Sequence, residues 1–251
     1  LFKKIFINKI LKGENIMKSN NICRFYAISG HMLSGKDTLA NILSEYFTNS
    51  GFNPIILGFA DALKVEVDQI INLIRRDDGD ITKIMADSFY HNVSASQIAK
   101  MVRILMSDAL ADSSLTAKSR TQSVREALQY WGTNVRRGFD PDYWVKKVRQ
   151  RVYELLDADD KNVIIISDAR FPNELDMVKS LCGKIIRLNV SPVTQVRRLF
   201  KRDGLEADQK KLAHPSETAC DDYNGFDYVI DTTTVPLNMM LKTLENQGFK
   251  A

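Results

Sequence analysis

Gly30-His31-Met32-Leu33-Ser34-Gly35-Lys36-Asp37-Thr38 places two glycines and a lysine at the spacing G-x-x-x-x-G-K. That spacing suits one task, the wrapping of a phosphate. Glycines let backbone N–H groups converge on anionic oxygens with no Cβ in the way. A helix starting near Lys36 would aim its positive end at the same anion. Lys36 adds a charge that can reach the outer phosphates. Gly30, Ser34, Gly35, Lys36, Asp37 and Thr38 are therefore the candidate phosphate-binding set. Asp37 stands where a Ser or Thr is usual. A carboxylate there can hold Mg²⁺ directly or through water, with Thr38 donating to a phosphate instead, and both arrangements stay open. The plainer reading is a glycine-rich turn between a strand and a helix.

A second group follows the apolar run Val163-Ile164-Ile165-Ile166-Ser167. Asp168 falls at its carboxyl end, the edge where ligands bind a parallel sheet. A carboxylate at that edge can hold Mg²⁺ or its water shell. The alternative is a cap for the helix opening at Pro172. Arg170 could grip a phosphate with two nitrogens or form a surface ion pair with Glu174. Arg125 and Gln129 lie four apart on one helix face, able to hold an acceptor's phosphate and base edge or simply to face water. Lys64 carries the same pair of readings. Tyr143 and Trp144 read better as packing than as a base platform. Neither a Ser/His/Asp nor a Cys/His arrangement suggests covalent catalysis.

These groups need elements to place them. Ile22–Ser29 reads as a buried strand running into Gly30, with a helix over 36–47 behind it. Pro54–Phe59 reads as a second strand, and Asp61 as the cap of a helix whose apolar face is Leu63, Val67, Ile70 and Ile71. From about Arg75 to Ser123 the pattern is helical and polar, with no strand. A helix over 123–131 should stop at Gly132, and another should run from Asp142 to about Leu156. Strands return at 163–167, 184–190 and 227–230, alternating with helices at 172–181, 192–202 and 236–244. Alternation of this kind predicts an α/β fold, a five-stranded parallel sheet covered on both faces, with a helical insertion.

The 251 residues carry a net charge of +4, too small to argue for nucleic-acid binding. Hydrophobic content of 44% and charged content of 26% are ordinary for a globular chain. Cys23, Cys182 and Cys220 are odd in number and unpaired in spacing, which fits a reducing cytoplasm rather than a disulfide framework. No apolar run approaches the ~20 residues that span a bilayer. Residues 1–16 are basic and apolar. A short amphipathic helix on a membrane is one reading; the other, preferred because Lys12-Gly13-Glu14 can be encoded as a ribosome-binding site upstream of Met17, is a non-native or disordered extension.

Several blocks together resemble the phage-type deoxynucleoside monophosphate kinases, relatives of the adenylate kinase group. They are Ser34-Gly35-Lys36-Asp37-Thr38, then Phe59-Ala60-Asp61-Ala62-Leu63-Lys64. Next comes the stretch from Val124 and Gln129 through Gly132-Thr133 and Phe139-Asp140 to Tyr143-Trp144-Val145-Lys146. Asp168-Ala169-Arg170 with Glu174 follows, and last His214-Pro215-Ser216-Glu217. The resemblance spans residues 22 to about 245, except that 75–123 matches nothing in it. It implies a three-layer P-loop NTPase fold over 17–251. An acceptor-binding helical insertion would cover about 65–158, and a mobile lid about 191–217. In such a lid at least one of Arg197, Arg198 and Arg202 closes over the moving phosphoryl group. Arg198 is the candidate, while His214 is read as structural.

The reading that follows is transfer of the ATP γ-phosphate to a deoxynucleoside monophosphate, with Mg²⁺. Lys36, Asp168, Arg170 and Arg198 would be catalytic. Lys64, Arg125, Gln129 and Arg170 would bind the acceptor, and Asp37 and Asp168 the metal. Partners would be small nucleotides, not nucleic acid or membrane, and a homodimer is compatible with the reading. The alternatives are a P-loop kinase for phosphomevalonate or dephospho-coenzyme A, or a nucleic-acid-associated NTPase.

Overall fold

A computed structural model describes residues 18–19, 22–85, 92–119, 121–204 and 215–250. Residues 1–16 and residues 205–214 of the expected lid, His214 among them, lie outside the described residues. The chain forms two compact units, Leu1–Gly58 with Arg149–Ala251 and Phe59–Val148.

In the first unit a two-residue pair, β1 (Lys18–Ser19) and β2 (Ile22–Cys23), runs antiparallel. The main sheet holds β3 (Phe25–Gly30), β4 (Asn53–Leu57), β5 (Asn162–Ala169), β6 (Lys184–Asn189) and β7 (Tyr228–Asp231). Their order is β4-β5-β3-β6-β7, and every pairing is parallel. Apolar residues fill both faces of the central strands, as a doubly covered sheet demands. Tyr26, Ile28, Val163, Ile165, Ile186 and Leu188 form a core with α1 (Lys36–Asn49) and α10 (Met240–Asn246). α7 (Pro172–Ser180) packs on β3 and β6. A Cβ at Gly183 would meet Val178 of this helix at 2.7 Å and Phe25 at 2.8 Å. The layers are therefore helix, sheet, helix, the three-layer α/β architecture that the sequence predicts.

The single strand expected over 22–29 is divided at Arg24. β2 pairs only with β1, whereas β3 enters the main sheet. The buried Arg24 guanidinium donates to the carbonyl oxygens of Leu156 and Asp159 at 3.4 and 3.1 Å. Those are carbonyls at the end of α6 (Tyr143–Ala158), where a helix leaves acceptors without internal donors. At the sheet's edge the Gln247 side chain accepts from Val229 N–H at 3.1 Å and donates to Val229 O at 2.8 Å.

The second unit contains α2 (Phe59–Arg76), α3 (Ile81–Met85), α4 (Ala95–Ala111), α5 (Gln122–Gln129) and the start of α6. Its described residues include no strand. α2 begins at Phe59, two residues before the expected cap, so Asp61 sits in the first turn and pairs with Lys64 at 3.0 Å. Ser94 and Gln97 cap α4 reciprocally.

Gly132 does not stop the helix as expected. α5 continues as a π-helical stretch, Tyr130–Arg137, that contains it. The glycine meets a packing need, because a Cβ there would lie 2.9 Å from Leu63 Cδ2. This irregular stretch is held by the carboxylate of Glu66, which is buried. Glu66 Oε2 accepts from Trp131 Nε1 and Arg136 Nε, both at 2.8 Å, and Oε1 accepts from Tyr143 Oη at 2.5 Å. Lys147 Nζ lies 3.7 Å from Oε1. Trp144 donates to Gly132 O at 3.1 Å. Tyr143 and Trp144 are thus packing and bonding partners within this unit, in line with the sequence reading.

Candidate phosphate-binding site

β3 delivers the chain into the glycine loop, and α1 carries it away. At Gly30 a Cβ would lie 2.5 Å from Leu188 O and 2.7 Å from Ser34 Oγ, so only glycine fits between β6 and the loop. Gly35 has φ 99°, a left-handed conformation that a side chain would strain. As the N-cap of α1 it brings no side-chain bond to the helix's first N–H groups, which leaves capping of that end to an external anion. Ser34 Oγ is buried and has no hydrogen-bond partner.

Lys36 is buried, and its Nζ donates to the carbonyl oxygens of Gly30 and His31, both at 2.8 Å. Burial pulls the amine down to about 8, and nearby Arg170 adds to that. Glu217, Asp37 and Asp168 pull the other way. A cation so poorly solvated gains strongly from an added anion.

A cavity of about 400 Å³ opens above this loop. Gly35, Lys36, Asp37, Thr38, Asp168, Arg170 and Arg198 all line it, as do Ser167, Arg202 and Leu237. Gly30 and Ser34 shape the loop without reaching its wall. Arg197 is exposed and does not line it.

Adjacent residues of a regular strand face opposite ways, yet Ser167 and Asp168 both line the cavity. The register explains this. Ala27 pairs with Ile166 and Ser29 with Ala169, so β5 carries one extra residue opposite β3. Such a bulge re-aims side chains next to a site. Asp168 is thus the penultimate residue of β5, rather than the first after it.

Arg170 is held at two points. Its N–H donates to Glu174 Oε2 at 2.7 Å, as does Phe171 N–H at 3.2 Å. Its guanidinium pairs with Glu217, not with Glu174, the partner its spacing suggested. The loop is braced by α8 (Pro192–Asp203). Gln195 donates to Met32 O at 2.9 Å, and Arg198 Nη1 donates to Leu33 O at 2.8 Å. Arg198 Nη2 also donates to Thr232 O at 2.7 Å. On the loop's other flank, His31 Nε2 and Asp221 Oδ1 are 2.7 Å apart, and the buried Arg187 donates to the same carboxylate at 2.6 Å.

The remaining sequence candidates belong to the second unit. Arg125 and Gln129 are exposed on α5, while Val124 and Ala127 are its buried positions. Lys64 is bonded to Asp61 on α2. Sequence reasoning missed Gln195, Thr232, Leu237 and the role of Glu217. For Glu217 a signal existed in the block ending Pro215-Ser216-Glu217. For the others, isolated polar or apolar residues beyond a strand give none.

Asp37 and Asp168 offer two carboxylates to one cavity, the oxygen donors that suit Mg²⁺ when phosphates supply further oxygens. Among the described residues, no group of three or more His, Cys, Asp or Glu could hold a metal unaided. Among them, too, no helix is long and apolar enough to cross a membrane.

A family model for deoxynucleotide monophosphate kinase matches residues 60–210. No curated protein matches the chain. The matched stretch begins after the glycine loop, so the loop geometry and the family match are independent observations.

Proposed function

This chain belongs to the deoxynucleotide monophosphate kinase family, and we propose that it transfers the γ-phosphate of ATP to a deoxynucleoside monophosphate, giving ADP and the diphosphate. One observation carries the reading. A glycine loop, Lys36, two carboxylates and three arginines meet at one cavity beyond the strand ends, the set that in-line phosphoryl transfer asks for.

The residues divide by role. The N–H groups of Gly35–Thr38 and the ammonium of Lys36 hold the donor's phosphates. Lys36 then exchanges its bonds to Gly30 and His31 for bonds to phosphate oxygens. Arg170, also on the cavity wall, holds the acceptor's phosphate. Arg198 keeps Leu33 and Thr232 in place and adds positive charge where the transferring group becomes most exposed. Asp37 and Asp168 would hold Mg²⁺, directly or through water, and the cation supplies charge neutralisation at the donor's phosphates. On the second unit, the exposed pair Arg125 and Gln129, with Lys64, is assigned to the acceptor. Exclusion of water from the loaded cavity protects ATP from hydrolysis. Three thiols outside any disulfide suit a reducing cytoplasm.

The test is a panel of ribo- and deoxynucleoside monophosphates with ATP and Mg²⁺, read by coupled ADP release and by identification of the diphosphate. Phosphorylation of at least one deoxynucleotide is expected. ATP hydrolysis with no diphosphate from any acceptor would overturn the proposal.

A further inference from the structure

Glu217 belongs to a block that the sequence singles out and the proposed reaction leaves unused. It lies on the short helix α9 (Pro215–Thr218) with its side chain 3% exposed. A buried carboxylate needs partners for both oxygens. Glu217 finds them on two different elements. Oε2 accepts from the backbone N–H of Met32, in the glycine loop. Oε1 accepts from Arg170 Nη1, beyond the end of β5. One carboxylate thus joins the loop, which faces the donor, to the arginine assigned to the acceptor.

Arg170 is also anchored at its backbone by Glu174, so its guanidinium is fixed at root and tip. A planar guanidinium has five N–H donors in a rigid fork. With Nη1 turned to Glu217, the plane of the fork is set, and Arg170 still lines the cavity. Glu217 does not line it.

We propose that Glu217 is a positioning residue for phosphoryl transfer. It stands behind Arg170 and locks that guanidinium to the glycine loop, setting the separation of donor and acceptor phosphates. The proposal rests on the kinase reading above and deepens it. A rigid group supporting another that touches substrate acts on alignment more than on binding, and a small misplacement costs rate steeply.

Glu217→Gln tests this, because it keeps the shape while removing the charge that holds Arg170. The experiment is a double-mutant cycle of Glu217→Gln with Arg170→Lys, in the full chain. Steady-state kinetics are run with each substrate varied in turn, and melting temperature serves as the check on folding. Wild-type turnover of a deoxynucleotide is established first. If that fails, the kinase reading falls, and the cycle is read instead by calorimetric binding of the same monophosphate. Expected for Glu217→Gln is a kcat lowered at least tenfold, an ATP KM within about threefold of wild type, and no further loss when it is added to Arg170→Lys. Equal factors in both backgrounds would show that Glu217 does not act through Arg170 and would overturn the proposal. So would a Glu217→Ala enzyme that is faster or binds nucleotide more tightly, since the carboxylate would then be an obstruction.

Discussion

Lys36 Nζ lies 2.8 Å from the carbonyl oxygen of Gly30, so the loop's last residue closes back on its first. With His31 O at the same distance, the ammonium is satisfied by its own loop. Its Coulomb attraction for a phosphate must outweigh these two neutral acceptors, and in a buried site it does so readily.

Lys36→Ala should therefore lower kcat/KM by about 10²–10³-fold or more, since a preorganised charge is lost from the transition state. Circular dichroism should show the fold retained. A rate within tenfold of wild type, a barrier change of only ~1.4 kcal/mol, contradicts the role assigned here.

Asp168 owes its aim to the bulge in β5. Asp168→Asn keeps the size but removes the charge and turns one acceptor oxygen into an NH₂ donor. Activity should fall about 100-fold, and the Mg²⁺ concentration giving half-maximal rate should rise. An unchanged Mg²⁺ titration would reduce Asp168 to a structural residue of the strand end.

Arg125→Ala removes an exposed guanidinium from α5, opposite that helix's buried Val124 and Ala127. The acceptor's KM should rise about tenfold, equivalent to ~1.4 kcal/mol, with ATP KM little changed. If neither constant moves, Arg125 is a solvated surface residue.

Glu66→Gln should destabilise the Phe59–Val148 unit by about 3 kcal/mol. Trp131, Arg136 and Tyr143 all donate to this carboxylate. A glutamine would point an NH₂ group at a donor and take the Glu66 charge away from the buried Arg136. The chain's two tryptophans, Trp131 and Trp144, both lie in this unit. Urea unfolding followed by their fluorescence therefore reads the relevant transition, and a loss below ~1 kcal/mol refutes the account.

Gly132→Ala sets two effects against each other. Alanine gains about 1 kcal/mol in helix propensity over glycine. Its Cβ must push aside Leu63 Cδ2 at 2.9 Å, the free end of a rotatable side chain. The two should nearly cancel, leaving stability within ~1 kcal/mol of wild type. A loss above ~3 kcal/mol in the same urea assay would mean that Leu63 has nowhere to go.

Much of this was legible in the residues. Isoleucine runs and their alternation with amphipathic helices specify a buried parallel sheet, and the glycine-lysine spacing marks one strand end as a candidate phosphate site. That Asp168 and Arg170 would line the cavity was legible because they come at the carboxyl end of the most apolar run. The bulge that brings Ser167 and Asp168 to the same cavity was not, since register is a property of two strands at once. Gly132 misled because glycine ends helices only where φ turns positive, and here it answers to Leu63 across the helix pair. Glu66 was hidden for a similar reason. A lone glutamate on an amphipathic helix reads as surface until Trp131, Arg136 and Tyr143 are known to converge on it.

Gln247 has a consequence for how copies of this chain share a solution. β7 closes one side of the sheet, and an unpaired strand margin is a template on which another chain can crystallise into fibrils. The Gln247 amide meets both hydrogen-bonding groups of Val229, as an incoming backbone would. An arriving strand would have to evict that side chain before adding its own bonds there. A primary amide, carried on the chain's last turns, thus works as a stopper against intermolecular sheet growth.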